Sequence, residues 1–354
     1  MKRKFRISGI IFRIIVIVAA VALFISYISI FISPSITVIP HFFGLYFIPL
    51  VIANILLLII ALIGRSNAGW ITLILLLPAL LFTDMFLRWD NGTEEANGYS
   101  LKICTYNVGA FSLSRESTSE ETIKNVRRFI EEHSPDIVCF QEYYGNGGSD
   151  ISFNFEQYPY VHHHLLGVRN NAMVGNIILS RYPIIDSGRL IFEDTGNLCI
   201  YADISLSGTI IRVYNAHLES HAISFTALIK SIREGKKLYE KIYEVHDKVA
   251  VKFKKRALQV DAIVEHFRKT PYPAIICGDF NDTPMSYTYH SLIKGRKDSF
   301  KESGQGFSAT YSVFWPLLRI DYILYPEPFR SVNHTSPRVN YSDHYPVISE
   351  IIIP

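Results

Sequence analysis

The chain has 354 residues, with 35 Lys and Arg against 32 Asp and Glu and a net charge of +3. That excess lies in the first 97 residues, which hold seven basic and four acidic side chains; the rest balances 28 against 28 and lacks the broad positive field of a general nucleic-acid binder. Cys104, Cys139, Cys199 and Cys277 show no metal-type spacing, and each sits in or beside a strand-like apolar run, which reads as small buried hydrophobes and leaves a disulfide between neighbouring strands open.

In chain order, residues 1–89 read as a membrane domain of three transmembrane helices at about 10–32, 38–63 and 70–88. The first run is apolar from Ile14 to Ile32 apart from Ser26, Tyr27 and Ser29, and a helix needs about 20 such residues to cross a bilayer. Pro40, His41 and Gly44 interrupt the start of the second run and Pro78 lies inside the third; proline is tolerated where neighbours satisfy the freed carbonyl. Lys2, Arg3, Lys4, Arg6 and Arg13 before the first run and Arg65 after the second mark the cytoplasmic side. Three crossings then place the remainder outside the cytoplasm, as in a multi-pass bacterial inner-membrane protein. Residues 90–99 are polar and rich in Gly and Asn and read as a linker.

From residue 100 the periodicity changes. Residues 101–107 alternate as a strand, 119–133 carry helical spacing with Ile123, Val126, Phe129 and Ile130 on one face, and 136–142 read as a buried strand. Further strands are expected at 176–180, 199–206, 210–215, 274–277, 320–324 and 347–353, with a long, mostly helical stretch over 222–267. His162, His163 and His164 read as a solvated loop. Many strands with few helices suggest two sheets packed face to face and flanked by helices.

A pattern recurs: an apolar strand ends in a carboxylate, amide or imidazole. It occurs at Asn107, at Glu142, at Asn215 with His217, at Asp279 with Asn281, at Asp321, and at Asp343 with His344. A strand end is a rigid place from which to project a reactive group. Phosphoester cleavage needs charge neutralised on phosphoryl oxygens, an activated water and a stabilised leaving oxygen. Glu142 is a hard donor suited to Mg²⁺ or Mn²⁺, and Asn107 can complete such a site without adding charge. Asp279 is suited to orient and deprotonate a water, Asn281 to donate to an oxygen on the phosphorus centre, and His217 and His344 to hold phosphate oxygens or move protons.

The motifs Cys-Thr-Tyr-Asn107, Phe-Gln-Glu142, Asn215-Ala-His217, Gly278-Asp-Phe-Asn281, Arg319-Ile-Asp321 and Ser342-Asp-His344 resemble the ordered motifs of the endonuclease/exonuclease/phosphatase superfamily over residues 101–353. The resemblance implies a four-layer α/β sandwich over 100–354, preceded here by the three transmembrane helices, divalent-metal dependence and attack by water on a phosphoester. It further implies that Asp321 orients a catalytic imidazole and that Asp343 lies beside a metal or the other imidazole. The metal set is then Asn107, Glu142 and Asp343, and the catalytic set His217, Asp279, Asn281, Asp321, Asp343 and His344. Asn176 and Arg181 occupy a stretch that the family often uses near its substrate.

Residues 221–256 depart from the compact nucleases of the family and hold ten basic against four acidic side chains, with apolar residues at helical spacing. Two readings stay open for them: a basic face on anionic lipid, or a solvated helix packed on its own domain. The expected activity is that of a membrane-anchored phosphoester hydrolase acting on a phospholipid head group or a small phosphoester. The alternatives are a nuclease acting on DNA or RNA and an inactive scaffold of the same fold.

Overall fold

A computed structural model describes residues 2–89, 97–112, 119–146, 156–167, 172–193, 195–220 and 238–354. The apolar N-terminal stretch forms helices α1 (Lys2–Ile28), α2 (Ile39–Leu45), α3 (Phe47–Ile63) and α4 (Gly69–Leu76), followed by a 3₁₀ segment, Leu77–Met85. Of these, Gly9–Ile28 is long and apolar enough to cross a membrane; α2 and α3 pass the same test only as a pair, bent by 72° between them. The expectation of three spanning helices is therefore corrected. Pro78, at the start of the 3₁₀ segment, breaks the third run. Its last residues also turn inward: Phe82, Met85 and Phe86 pack with Tyr214, Ile263 and Tyr322 of the following domain. Hydropathy alone cannot tell a run that faces lipid from one that faces protein.

The rest is two six-stranded sheets. The first has β2 (Tyr99–Asn107), β3 (Ile137–Asn146), β4 (Tyr160–Gly167), β5 (Ala172–Ser180), β13 (Arg330–Thr335) and β14 (Val347–Ile353), in the order β13-β14-β2-β3-β5-β4. The second has β6 (Ile184–Ile191), β7 (Leu198–Leu206), β8 (Thr209–His217), β9 (Ala274–Asp279), β10 (Arg296–Asp298) and β12 (Asp321–Pro326), in the order β10-β12-β9-β8-β7-β6. Only β2/β3 and β8/β9 run parallel among the paired strands of these sheets. Between the sheets lies a dry layer that includes Ile103, Cys139, Ile178, Ala202, Val213, Ile275, Cys277 and Val347. All four cysteines are buried, as expected, and free.

Helix α5 (Ser119–His133) covers the outer face of the first sheet through Val126, Phe129 and Ile130. Helix α6 (Leu238–Lys269) covers the second through Val260, Ile263 and Phe267, beside α7 (Tyr287–Leu292). The helix–sheet–sheet–helix order is the expected four-layer sandwich. A two-residue ladder joins the N-terminal unit to it: β1 (Leu87–Arg88) pairs with β11 (Gly306–Phe307) just after α8 (Ser299–Ser303).

Two expectations change. The three consecutive histidines lie on strand β4, where His162 Nε2 is 3.1 Å from the Gly188 carbonyl and His164 Nδ1 is 2.7 Å from Arg189, instead of in a solvated loop. Residues 221–237 fall outside the described residues, and from 238 the stretch is α6. Its basic end does not form a lipid-facing row: Arg256 is 1% exposed, and Lys252 pairs with the buried Glu219.

Candidate functional site

The strand register gathers the expected residues. His217 and Asp279 are direct neighbours at the ends of the parallel strands β8 and β9, and Asp321 lies opposite Asp279 at the start of β12. Such close strand pairing requires glycine beside Asp279: at Gly278, with φ +135°, a Cβ would sit 1.9 Å from the Ala216 carbonyl oxygen. From the facing sheet, Asn107 closes the end of β2. Its Nδ2 donates to Asp279 Oδ2 at 3.0 Å and to Glu142 Oε1 at 3.2 Å.

Glu142 is not at a strand end. It sits within β3 at a register shift between Phe140 and Tyr143 and has a φ of +50°. A bulge of this kind re-aims one side chain out of the pleat, and a non-glycine residue at positive φ stores strain that the surroundings must hold. Asn281, at φ +52°, is the second case. Its backbone N–H donates to Asp279 Oδ1 at 2.8 Å, and its Nδ2 donates to Asp279 Oδ2 at 3.1 Å and to the Leu218 carbonyl at 2.9 Å.

The histidines flank Asp279. His217 Nε2 is 3.5 Å from Glu142 Oε1 and 3.9 Å from Asp279 Oδ2. His344 places Nδ1 3.0 Å from Asp321 Oδ2 and Nε2 3.7 Å from Asp279 Oδ2. Burial disfavours charge on His344, but Asp321 and Asp279 outweigh it and raise its pKa to about 10. Burial lifts Asp279 to about 6, with Asp321 adding to the rise while His344, His217 and Asn107 oppose it. The Asp321 carboxylate therefore fixes the ring and its charge, and Nε2 is the proton-bearing atom turned toward Asp279. Asp343 accepts from Ser342 Oγ at 3.3 Å, and its carbonyl takes Ser312 N–H at 2.8 Å; its charge also favours the His344 cation.

For a divalent cation, two donor groups are at hand. Ligand atoms of Asp279, Asp321 and His344 lie within 4.8 Å of one another, but His344, held cationic by Asp321 and Asp279, has no ring lone pair to offer. Glu142 fits better. Its side chain keeps 34% exposure, so oxygen lone pairs remain open beside water, the setting that Mg²⁺ prefers. The Asn107 amide aims its NH₂ at both carboxylates while its oxygen accepts the Gly109 N–H at 3.0 Å. In this orientation it steadies the carboxylates; serving as a ligand requires the amide to turn over.

Asn215, at a position resembling a motif residue, is a clamp between the sheets. Its Nδ2 donates to the carbonyls of Phe140 and Ile177, and Gln141 Nε2 donates to its Oδ1 at 2.7 Å. Asn176 Nδ2 donates to the Asn215 carbonyl at 3.0 Å. Arg181 lies away from the cluster, on Ser134 and Asp136.

Sequence reasoning missed a supporting network. Arg256 Nη1 donates to the Asn281 carbonyl at 2.6 Å and to the Glu219 carbonyl at 2.5 Å, and Nε donates to Asp282 Oδ2 at 3.1 Å. Thr310 Oγ1 accepts the Asp321 N–H, and the Tyr311 ring stands edge-on to His344 at 5.1 Å. Among basic residues recurring along a helix, nothing in the sequence distinguishes Arg256 as the one that points inward.

Comparison with known proteins agrees with this geometry. Residues 104–344 match the Endonuclease/Exonuclease/phosphatase family, and residues 9–85 match a domain of unknown function. No curated protein matches the chain. Solved structures with a similar fold include an endonuclease/exonuclease/phosphatase from Beutenbergia cavernae, 15% identical, covering 72% of each chain with a TM-score of 0.53. D. rerio TDP2 complexed with single strand DNA product is 15% identical, covers 72% of this chain and 99% of that one, and has a TM-score of 0.52. The human Nocturnin catalytic domain with bound sulfate anion is 16% identical, covers 71% and 93%, and has a TM-score of 0.51. At these identities the likeness to solved structures concerns the fold alone.

Proposed function

The chain belongs to the endonuclease/exonuclease/phosphatase family, and we propose that it is a membrane-anchored, divalent-metal-dependent phosphoester hydrolase whose substrate is a lipid head group or small phosphoester. The observation that carries the reading is the convergence of Asn107, Glu142, His217, Asp279, Asn281, Asp321 and His344 from both sheets around one buried carboxylate. Glu142, with Asn107 turned over, would hold the cation. When bound, the cation supplies charge neutralisation at the phosphoryl oxygens.

The protein's own groups divide the remaining work. Asp279, fixed by two donors from Asn281, offers an oriented acceptor for the proton of an attacking water. His344, kept cationic by Asp321, presents Nε2–H to a phosphoryl or leaving oxygen. His217 stands on the opposite side, toward Glu142, where it can hold a second phosphoryl oxygen. The Asn281 amide NH₂ is tied to Asp279 and Leu218, so its role as placed is to brace the base.

On this reading the helices anchor the chain in a bacterial inner membrane and the catalytic domain lies outside the cytoplasm. What supports this is the direction of α1. The end of α1 meets the domain through Ser29 Oγ, which donates to the Met285 carbonyl at 2.8 Å, whereas Lys2, Arg3, Lys4 and Arg6 occupy its other end. The basic cluster that opens α1 then lies away from the catalytic domain, on the side that retains positive charge.

The test is a panel of phospholipids, sphingomyelin, inositol phosphates, an activated soluble phosphodiester and DNA, presented to the purified full chain with Mg²⁺ or Mn²⁺ and with chelator. Hydrolysis that needs the cation is expected; full activity in chelator overturns the metal assignment. A reporter fused after Pro354 that works only in the cytoplasm overturns the topology.

A further inference from the structure

The loop that closes the site between β11 and β12 is unexpectedly apolar on its outer side. Val313, Trp315 and Leu317 are 43%, 38% and 40% exposed, and Phe307, whose ring stands edge-on to Trp315 at 5.9 Å, is 50% exposed. Exposed apolar side chains are ordinary when scattered, but a contiguous cluster marks a contact surface. This cluster is continuous at both ends with something informative.

At one end it continues the apolar N-terminal unit. Phe307 pairs with Leu87 in the β1/β11 ladder, and the Ser308 N–H donates to the Phe86 carbonyl at 3.0 Å. Just upstream, Leu77, Leu80 and Leu81 are exposed on the 3₁₀ segment, and Trp89 just beyond β1 is 85% exposed. At the other end the loop touches the catalytic groups. Tyr311 bridges to His344, Ser312 N and Oγ both donate to the Asp343 carbonyl at 2.8 Å, and Thr310 receives the Asp321 N–H. The domain meets the helices a second time at Met285, four residues beyond Asn281 in sequence; Met285 is buried among Leu23, Tyr27, Phe47 and Ala79.

We propose that residues 313–317 with Phe307 form a bilayer-contact surface that seats the catalytic mouth on the lipid interface, so that the phosphoester it takes is carried by an amphiphile of that bilayer. The proposal rests on the membrane-anchored hydrolase reading and names its substrate class. The occupant is lipid because the surface runs on from the apolar helices. Its composition also suits the boundary between head groups and acyl chains. Trp is enriched there, and the Arg338 guanidinium stacked 4.0 Å over Trp315 sets a cation at the level of lipid phosphates. Behind the loop, a cavity of about 620 Å³ lined by Phe307, Trp315, Asn333, Pro337 and Arg338 mixes apolar and polar walls, as the junction of head group and acyl chain requires. This surface replaces the basic end of α6, where Arg256 is buried, as the part that meets lipid.

The test uses the full chain reconstituted in vesicles of phosphatidylcholine with a minor share of phosphatidylglycerol. The chain has three tryptophans, so the variant Trp70→Phe with Trp89→Phe leaves Trp315 as the sole indole reporter. Its emission is expected to be quenched by lipid brominated near the head-group end of the acyl chains and shielded from aqueous acrylamide. Full accessibility to acrylamide with no bromolipid quenching overturns the proposal. In a second arm, Val313→Asp with Leu317→Asp should slow hydrolysis of a nitrophenyl-phosphate lipid in vesicles by at least ~10-fold, about 1.4 kcal/mol of docking. Hydrolysis of soluble bis-nitrophenyl phosphate should stay the same. Equal losses on both esters make the loop structural and also overturn it. If the unaltered chain cleaves neither ester, the hydrolase reading fails, while the quenching arm still decides the surface.

Discussion

Replacing Arg256 by Ala removes a buried cation that braces the catalytic loop from behind. The side chain is 1% exposed, donates to the carbonyls of Asn281 and Glu219, and pairs with Asp282, itself 6% exposed. Truncation leaves the Asp282 carboxylate in the interior with, among the described residues, the neutral donors Thr288 Oγ1, at 2.8 Å, and the Thr283 N–H, at 3.1 Å. It also strips one donor from each of two buried carbonyls. Breaking a buried ion pair by removing one partner costs about 3–5 kcal/mol. At roughly 2–4 °C per kcal/mol for domains of 150–250 residues, that is a fall in Tm on the order of 10 °C. Arg256→Lys keeps the charge but not the fork that reaches three acceptors, so its loss should be intermediate. Lys254→Ala, on the exposed side of α6, serves as the control and should leave the melt unchanged. The assay is thermal unfolding of the full chain in detergent followed by intrinsic fluorescence. An Arg256→Ala melt within about 2 °C of the unaltered protein refutes the buttress.

Three further outcomes are expected. Asp279→Asn and His344→Ala should each lower kcat by at least ~10²-fold, the scale of a lost general base or acid; the first keeps the side-chain shape, while the second also leaves buried Asp321 without its cation and should lower Tm. Wild-type rates in either would remove that residue from the chemistry. Glu142→Gln should raise the Mg²⁺ concentration needed for half-maximal activity by ~10-fold or more, read by titration of the rate, and an unchanged titration assigns the cation elsewhere. His334, whose pKa burial lowers to about 3, stays neutral in the folded protein while the unfolded chain takes up a proton below its ordinary value of 6.5. Its contribution to stability is then complete above pH 6.5 and declines as pH falls from there toward 3. By pH 5 the loss relative to pH 7.5 is about 2 kcal/mol, absent in His334→Gln, and denaturant unfolding at the two pH values checks it.

Much of the site was legible from sequence because its parts lie at the ends of short apolar strands, and a strand end shows in a linear pattern. Asn107, His217 and Asp279 close strands and Asp321 opens one. Helix α5 matched its expected span, 119–133, because amphipathic spacing and the stop at Pro135 are local signals. The burial of the four cysteines followed in the same way from their apolar surroundings, whereas their free state is a finding of the tertiary structure.

What only tertiary structure decided depends on which neighbour a residue meets. Glu142 reaches the site from a bulge at positive φ, a distortion that surrounding contacts impose and local propensity does not encode. Asn215 carried the look of a catalytic amide and became a clamp, because the opposite sheet offers it the carbonyls of Phe140 and Ile177. Arg256 carried the look of a solvated or lipid-facing cation and is buried, because Asp282 and two carbonyls wait on the inner face of α6. The third apolar run likewise has the composition of a spanning helix, yet ends in a 3₁₀ segment packed on the second sheet. In each case the residue type determines what a side chain can do, while its partners, distant in sequence, determine what it does; hydrophobic burial is non-directional, so composition alone cannot name the surface that will cover it.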